Sequence, residues 1–160
     1  MNGSLLQLLQ RLNEAQVEYI LVGGMAAVLH GAPVATMDVD VVHRRTPANV
    51  ARLLALLASL EAHYRGQPAG RILMPTTAAL MGSGHNNLAT VLGPLDLLCE
   101  LAPGVGFDEL LPDTECRSAG DFTIRIPTLR KLIEIKADTA RPKDLLLLPI
   151  LLKLDRPDNA

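Results

Sequence analysis

A chain of 160 residues with a formal net charge of −2 is long enough to bury one sizeable core and short for two. Hydrophobic residues make up 49% and charged residues 20%, which argues for a packed globular protein and against a disordered one. The slightly acidic balance and 2% aromatic content speak against a broad nucleic-acid footprint and against base-stacking platforms, leaving room only for a local basic patch.

The first residues, "MNGSLLQLLQRLNEAQ", have no charged leader region and interrupt their leucines with Gln and Arg, so they do not read as a signal peptide. Ser4 predicts a capped helix to about Ala15, with Leu5, Leu8, Leu9 and Leu12 at helical spacing. "VEYILV" reads as a buried strand that stops at Gly23-Gly24, and "MAAVLH" as a short helix ended by Gly31 and Pro33. "TMDVDVVH" is a second strand. Thr46 caps the amphipathic helix "ANVARLLALLASLEAHY", with Pro47 at its first position. Residues 65–87, "RGQPAGRILMPTTAALMGSGHNN", are poorly periodic and read as strand fragment, turn and loop. "NLATVLGPLDLLCEL" predicts two strands joined at Gly93-Pro94, and "APGVGFDELLPDTE" a loop with a short helical piece. "DFTIRIP" is a late strand, Thr128 caps the helix "LRKLIEIKADTA", and a break at Arg141-Pro142 starts a last helix, "RPKDLLLLPILLKL". The tail from Asp155 to Ala160 is polar and expected to fray. This order predicts an α/β fold, a small mixed β-sheet flanked by helices with a helical C-terminus, as one domain over residues 1–160.

The cysteines, Cys99 and Cys116, form no CxxC pair, and no histidine stands at ligand spacing beside either. A reduced cytoplasmic protein with two packing or surface thiols is the expectation. The most apolar run, "LLLLPILLKL", is too short to span a bilayer and contains Pro149. It is apolar around the whole helix, which leaves two readings: Pro149 bends it across the core, or one face is covered by a second copy of the chain or by a partner protein.

Chemistry concentrates in the two aspartates of "MDVDVV". Residues two apart in a strand point to one face, roughly 6.5–7 Å apart. Asp38 and Asp40 therefore share a face with Val42, and no Lys or Arg neighbours them there. A solvated strand face explains an isolated D-x-D. A divalent metal explains it as well, since hard oxygen ligands suit Mg²⁺ and its charge offsets the repulsion. The context favours the metal. Gly23-Gly24, between a strand and a helix, exposes backbone N–H groups at the positive helix end, an arrangement that suits phosphate. A third carboxylate completes a two-metal set. Asp96 in "GPLDLL" supplies it, whereas Glu100 sits too far along the strand.

"VGGMAAVLHGAPVATMDVDVV" resembles the signature of the DNA polymerase β-like nucleotidyltransferase superfamily: a G-G or G-S pair, a short helix, then T-x-D-h-D. "GPLDLL" is similar to its third-aspartate strand. "LIEIKADTARPKDLLLL" resembles the closing segment of small bacterial members, including relatives of AbiEii toxins and of minimal antibiotic nucleotidyltransferases. The likeness covers Tyr19 to Leu152. It implies transfer of a nucleoside monophosphate from an NTP to a hydroxyl-type acceptor (an RNA end, a protein or a small molecule), with two Mg²⁺ ions and, in one version, a toxin-like role. Gly23, Gly24 and Thr36 would then hold phosphates, and Asp38, Asp40 and Asp96 the metals, with Asp96 helping to deprotonate the acceptor. Lys136, Arg141 and Lys143 would reach triphosphate or acceptor, one of them oriented by Asp144.

Two departures stand out. Many relatives read R-x-T-x-D-h-D, but Val34 occupies the arginine position here, and Gly24 stands where a Ser is common. A catalytically weak module that binds nucleotide or a partner, in a regulatory or antitoxin-like role, is therefore the alternative reading. His30, His43, His63 and His85 fall on different elements and read as surface or packing residues. "GSGHNN", Gly82 to Asn87, offers a mobile loop beside the site.

Overall fold

The computed structural model describes residues 3–156. Helix α1 (Gly3–Glu14) buries Leu5, Leu8, Leu9 and Leu12, the stripe its spacing predicts. Ser4 lies inside its first turn rather than ahead of it. Strand β1 (Tyr19–Val22) is buried along its whole length and runs directly into α2 (Gly23–Leu29). Strand β2 (Val39–His43) follows, then α3 (Pro47–Ser59), whose cap Thr46 accepts a hydrogen bond from the Asn49 N–H.

The third helix, expected to reach Tyr64, ends at Ser59, and part of the poorly periodic stretch 65–87 is regular structure. A short β3 (His63–Tyr64) is followed by α4 (Thr77–Met81), capped by Thr76. The hairpin β4 (His85–Thr90) and β5 (Gly93–Leu98) turns at Val91-Leu92, before the Gly93-Pro94 bend expected from sequence. Thr90 fixes the turn: its hydroxyl donates to the Gly93 carbonyl at 2.7 Å and accepts from the Leu92 N–H at 3.1 Å. "GSGHNN" is correspondingly only half a loop, because His85, Asn86 and Asn87 pair with Leu98, Leu97 and Asp96.

Strands β1 to β5 form one mixed sheet in the order β1-β2-β5-β4-β3, with β2 and β5 parallel and the other neighbours antiparallel. Cross-strand partners share a face. Tyr19, Leu21, Val39, Val41, Leu95 and Leu97 belong to the main core with α1 and α3. Ile20, Val22 and Val42 face the other way and pack on Phe107 and Leu110 of α5 (Phe107–Leu110). Val42 thus shares the aspartate face, as the alternation predicts, but is buried there.

A second sheet pairs β6 (Thr114–Ala119) with β7 (Phe122–Pro127). Strand β6 carries no alternation of apolar residues; its sequence signal is the two-residue Gly120-Asp121 turn joining Ala119 to Phe122. Helix α6 (Leu129–Thr139) is capped by Thr128 and ends at Ala140, in the left-handed region at φ 46°. Helix α7 (Pro142–Leu154) starts at the predicted break and continues through Pro149.

Within the single chain, α7 is buried along one stripe and leaves another face open. Asp144, Leu147 and Leu151 form its buried stripe, while Leu145 and Leu146 are 52% and 78% exposed. Asp155 ends the helix; of the expected frayed tail, residues 157–160 lie outside the described residues. Among the described residues, no helix is long and apolar enough to cross a membrane.

Candidate active site

The parallel pairing of β2 with β5 sets Asp40 directly opposite Asp96. Asp38 stands just before β2, two residues from Asp40 and pointing the same way. One carboxylate oxygen from each of the three lies within 4.8 Å of the others, the one such set of His, Cys, Asp or Glu among the described residues. Burial, then the charges of Asp38 and Asp96, push the Asp40 carboxyl up to about 7, against a smaller opposing pull from Lys143. The cluster is thus short of positive charge, and its donors are all hard oxygens. That donor set fits a divalent cation such as Mg²⁺.

The glycine pair is fitted against these carboxylates. Gly23 has φ +67°, and a β-carbon on it would collide with Asp40 Oδ2. Only glycine tolerates both the left-handed backbone and the contact. A β-carbon on Gly24 would stand 3.0 Å from Thr36 Oγ1, and that hydroxyl donates to the Asp38 carbonyl at 3.2 Å. Thr36 therefore ties the glycine turn to the first aspartate.

A cavity of about 750 Å³ opens over this cluster. Gly23, Gly24, Thr36, Asp38, Asp40 and Asp96 line one part of it; Lys136, Arg141, Lys143 and Asp144 line another. Every candidate residue from the sequence is thus brought to one cavity. The basic segment differs from expectation in one respect. Asp144 does not orient a single cation: it accepts from Lys136 Nζ at 2.7 Å, Arg141 Nε at 2.8 Å and Thr139 Oγ1 at 2.8 Å. Burial pushes its carboxyl up, but the hydrogen bonds from Lys136, Arg141 and Thr139 outweigh this and hold it at about 2. Lys136 and Asp144 are both buried, whereas Arg141 and Lys143 are exposed.

Three further residues border the site. His85 and Asn87 line the cavity from β4. Arg65, just beyond β3, forms an ion pair through Nη2 with Asp96 Oδ1. Sequence spacing carries no sign of Arg65, since two strands separate β3 from β5's partner β2 and the contact arises only across β4. Glu100 lies beyond β5 and pairs with Arg45 at 3.0 Å, away from the carboxylates. Val34 lines the cavity and brings no charge to it. His30 and His43 bond the Pro127 and Leu80 carbonyls and do not line the cavity.

No protein-family model matches the chain, and no curated protein does. Solved structures do. The lincosamide antibiotic adenylyltransferase LnuA, with lincomycin bound, superposes with a TM-score of 0.64 at 13% identity, over 96% of this chain and 98% of that one. TM1012 of Thermotoga maritima, a provisionally assigned nucleotidyltransferase, gives 0.60 at 14% identity, over 96% and 95%. The antibiotic-resistance factor ANT(2'')-Ia gives 0.57 at 14% identity, over 96% and 85%. The chain has the nucleotidyltransferase fold over the 96% that superposes.

Proposed function

We propose that the protein is a metal-dependent nucleotidyltransferase, moving a nucleoside monophosphate from an NTP to a hydroxyl-bearing acceptor. The observation that carries this reading is the in-register facing of Asp40 and Asp96, with Asp38 completing the cluster and Gly23 pressed against it. Asp38, Asp40 and Asp96 would hold the divalent cations, two in the full set, which neutralise charge on the phosphates during displacement. Gly23 and Gly24 present backbone donors for the β- and γ-phosphates, and Thr36, whose hydroxyl proton goes to the Asp38 carbonyl, borders them and holds the glycine turn in place. The acceptor oxygen attacks the α-phosphorus, the bond to the bridging oxygen breaks, pyrophosphate leaves, and Asp96 accepts the hydroxyl proton. Lys143 and Arg141, exposed at the cavity, meet the phosphates; Lys136 holds Asp144 and through it the position of Arg141.

The likeness to LnuA, an antibiotic adenylyltransferase, and to the antibiotic-resistance factor ANT(2'')-Ia puts a small molecule first among acceptors to try, with RNA ends and proteins behind it. A toxin-like role rests on the AbiEii resemblance alone. Labelled NTPs incubated with Mg²⁺ and a panel of hydroxylated acceptors test the reading; pyrophosphate release that disappears in Asp38→Asn supports it. Val34 in place of the usual arginine favours the second reading, a weak catalyst that binds nucleotide or a partner, and binding without turnover over the whole panel would establish that instead.

Association is a separate proposal. Leu145 and Leu152, seven residues apart on α7, are 52% and 45% exposed and face outward together, which suits a second copy or a partner protein. The more exposed Leu146 also lines the cavity, where a ligand can cover it.

A further inference from the structure

We propose that Arg65 is the counter-ion of the metal site, competing with divalent cation for Asp96 and taking the triphosphate as its anion once the carboxylate is given up. This rests on the nucleotidyltransferase reading above and adds a residue to it. The geometry is fixed from the backbone outward. The Arg65 N–H donates to the Asn87 carbonyl at 3.0 Å, carrying the β3–β4 pairing one residue past β3. Asn87 in turn stands opposite Asp96. Arg65, Asn87 and Asp96 therefore form a row across three strands on one face, and the guanidinium reaches over Asn87 to Asp96 Oδ1.

Three features make this contact a competitor rather than a scaffold. The arginine side chain is 37% exposed and the aspartate 13%, so water reaches the pair and can help it exchange. The oxygen cluster that suits a cation includes Asp96, whose carboxylate the guanidinium already engages. A guanidinium keeps its charge at any ordinary pH, so it can yield the carboxylate only by moving, and a freed one seeks another planar or multidentate anion. Tethered at Asn87, which lines the cavity, it stays one strand away from the carboxylate it gives up. Arg141 engages Asp144 through Nε and Val34 carries no charge, so among the described residues Arg65 is the arginine that touches the Asp38, Asp40 and Asp96 cluster. Metal and triphosphate should consequently bind interdependently, each removing an obstacle to the other.

Mn²⁺ titrated by calorimetry, alone and with inorganic tripolyphosphate (corrected for the complex these form in solution), provides the test. Circular dichroism and melting confirm that each variant is folded. Arg65→Gln should bind Mn²⁺ alone roughly two- to fivefold more tightly than the unaltered chain, the worth of a part-exposed ion pair. The gain in Mn²⁺ affinity conferred by tripolyphosphate should shrink by a similar factor. Arg71→Gln, at an exposed loop position, should change neither. Mn²⁺ binding that is lost in the Asp38→Asn, Asp40→Asn double variant yet unchanged or weakened in Arg65→Gln overturns the role of Arg65 and leaves the metal site standing. Binding indifferent to the double variant overturns both.

Discussion

The backbone of Gly23 abuts the carboxylate of Asp40, so closely that a β-carbon has no room. Gly23→Ala combines that collision with a left-handed φ of +67°, which costs about 1–2 kcal/mol for an ordinary residue. Urea melts should show at least this loss, and Mg²⁺-dependent NTP binding should fall sharply because Asp40 is displaced. Gly24→Ser should be milder, since its backbone is not left-handed and the new β-carbon meets Thr36 Oγ1 and Cβ at 3.0 and 3.2 Å, a far smaller overlap than at Gly23. Equal losses for the two variants would refute the fitted role of Gly23.

Acidity separates the carboxylate cluster from an ordinary surface patch. Asp40 has a folded-state pKa of about 7 against an ordinary value of 3.8. The folded chain therefore holds a proton that the unfolded chain releases between those values, and stability falls as pH rises from about 4 through about 7. Melting temperatures measured in EDTA should decline across that window. Mg²⁺ with NTP should restore more at about pH 8 than at about pH 5, and a ligand at a hundred times its Kd adds about 2.7 kcal/mol. Asp40→Asn should flatten the EDTA profile and, together with Asp38→Asn, abolish the ligand-induced rise.

Asp144 behaves in the opposite sense. Held at about 2, it contributes stability above the ordinary carboxylate value near 4 and loses it as pH falls toward 2. Asp144→Ala leaves the buried Lys136 ammonium without its partner, which costs about 3–5 kcal/mol. Lys136→Met should cost less, because Arg141 and Thr139 still satisfy the carboxylate. Chemical denaturation of both variants checks the order; a cheaper Asp144→Ala would mean the pair is dispensable to the fold.

Light scattering over a dilution series tests α7. Leu151→Lys, at a fully buried position, should unfold the chain, whereas Leu145→Lys should leave its melting temperature intact. If copies associate through this face, the unaltered chain should dimerise with concentration and Leu145→Lys should stay monomeric. A chain monomeric throughout dismisses association between copies.

The legible parts of the site were those written within short spans. The glycine pair, the D-x-D strand and the leucine-flanked Asp96 each declare themselves within a few residues, because local backbone needs and costly charges leave marks on their neighbours. Caps at Thr46 and Thr128 were equally readable. Strand β6 was hidden because "TECRSA" stays part-exposed and polar, held by pairing with β7 rather than by an apolar face. The triple grip of Asp144 and the reach of Arg65 were hidden for another reason: they depend on which strand lies beside which, and on how two helices meet.

The parallel seam between β2 and β5 has a consequence for how the chain assembles. Strands β4 and β5 are joined by a tight hairpin and β3 pairs beside them, a local unit that can form early; closing it onto β2 is the distant, slower event. That closure drives Asp96 toward Asp38 and Asp40, a docking opposed by like charge. Because Arg65 belongs to the same hairpin unit as Asp96, the incoming carboxylate carries its neutralising partner with it, and the unit meets β2 as a paired charge rather than a bare one.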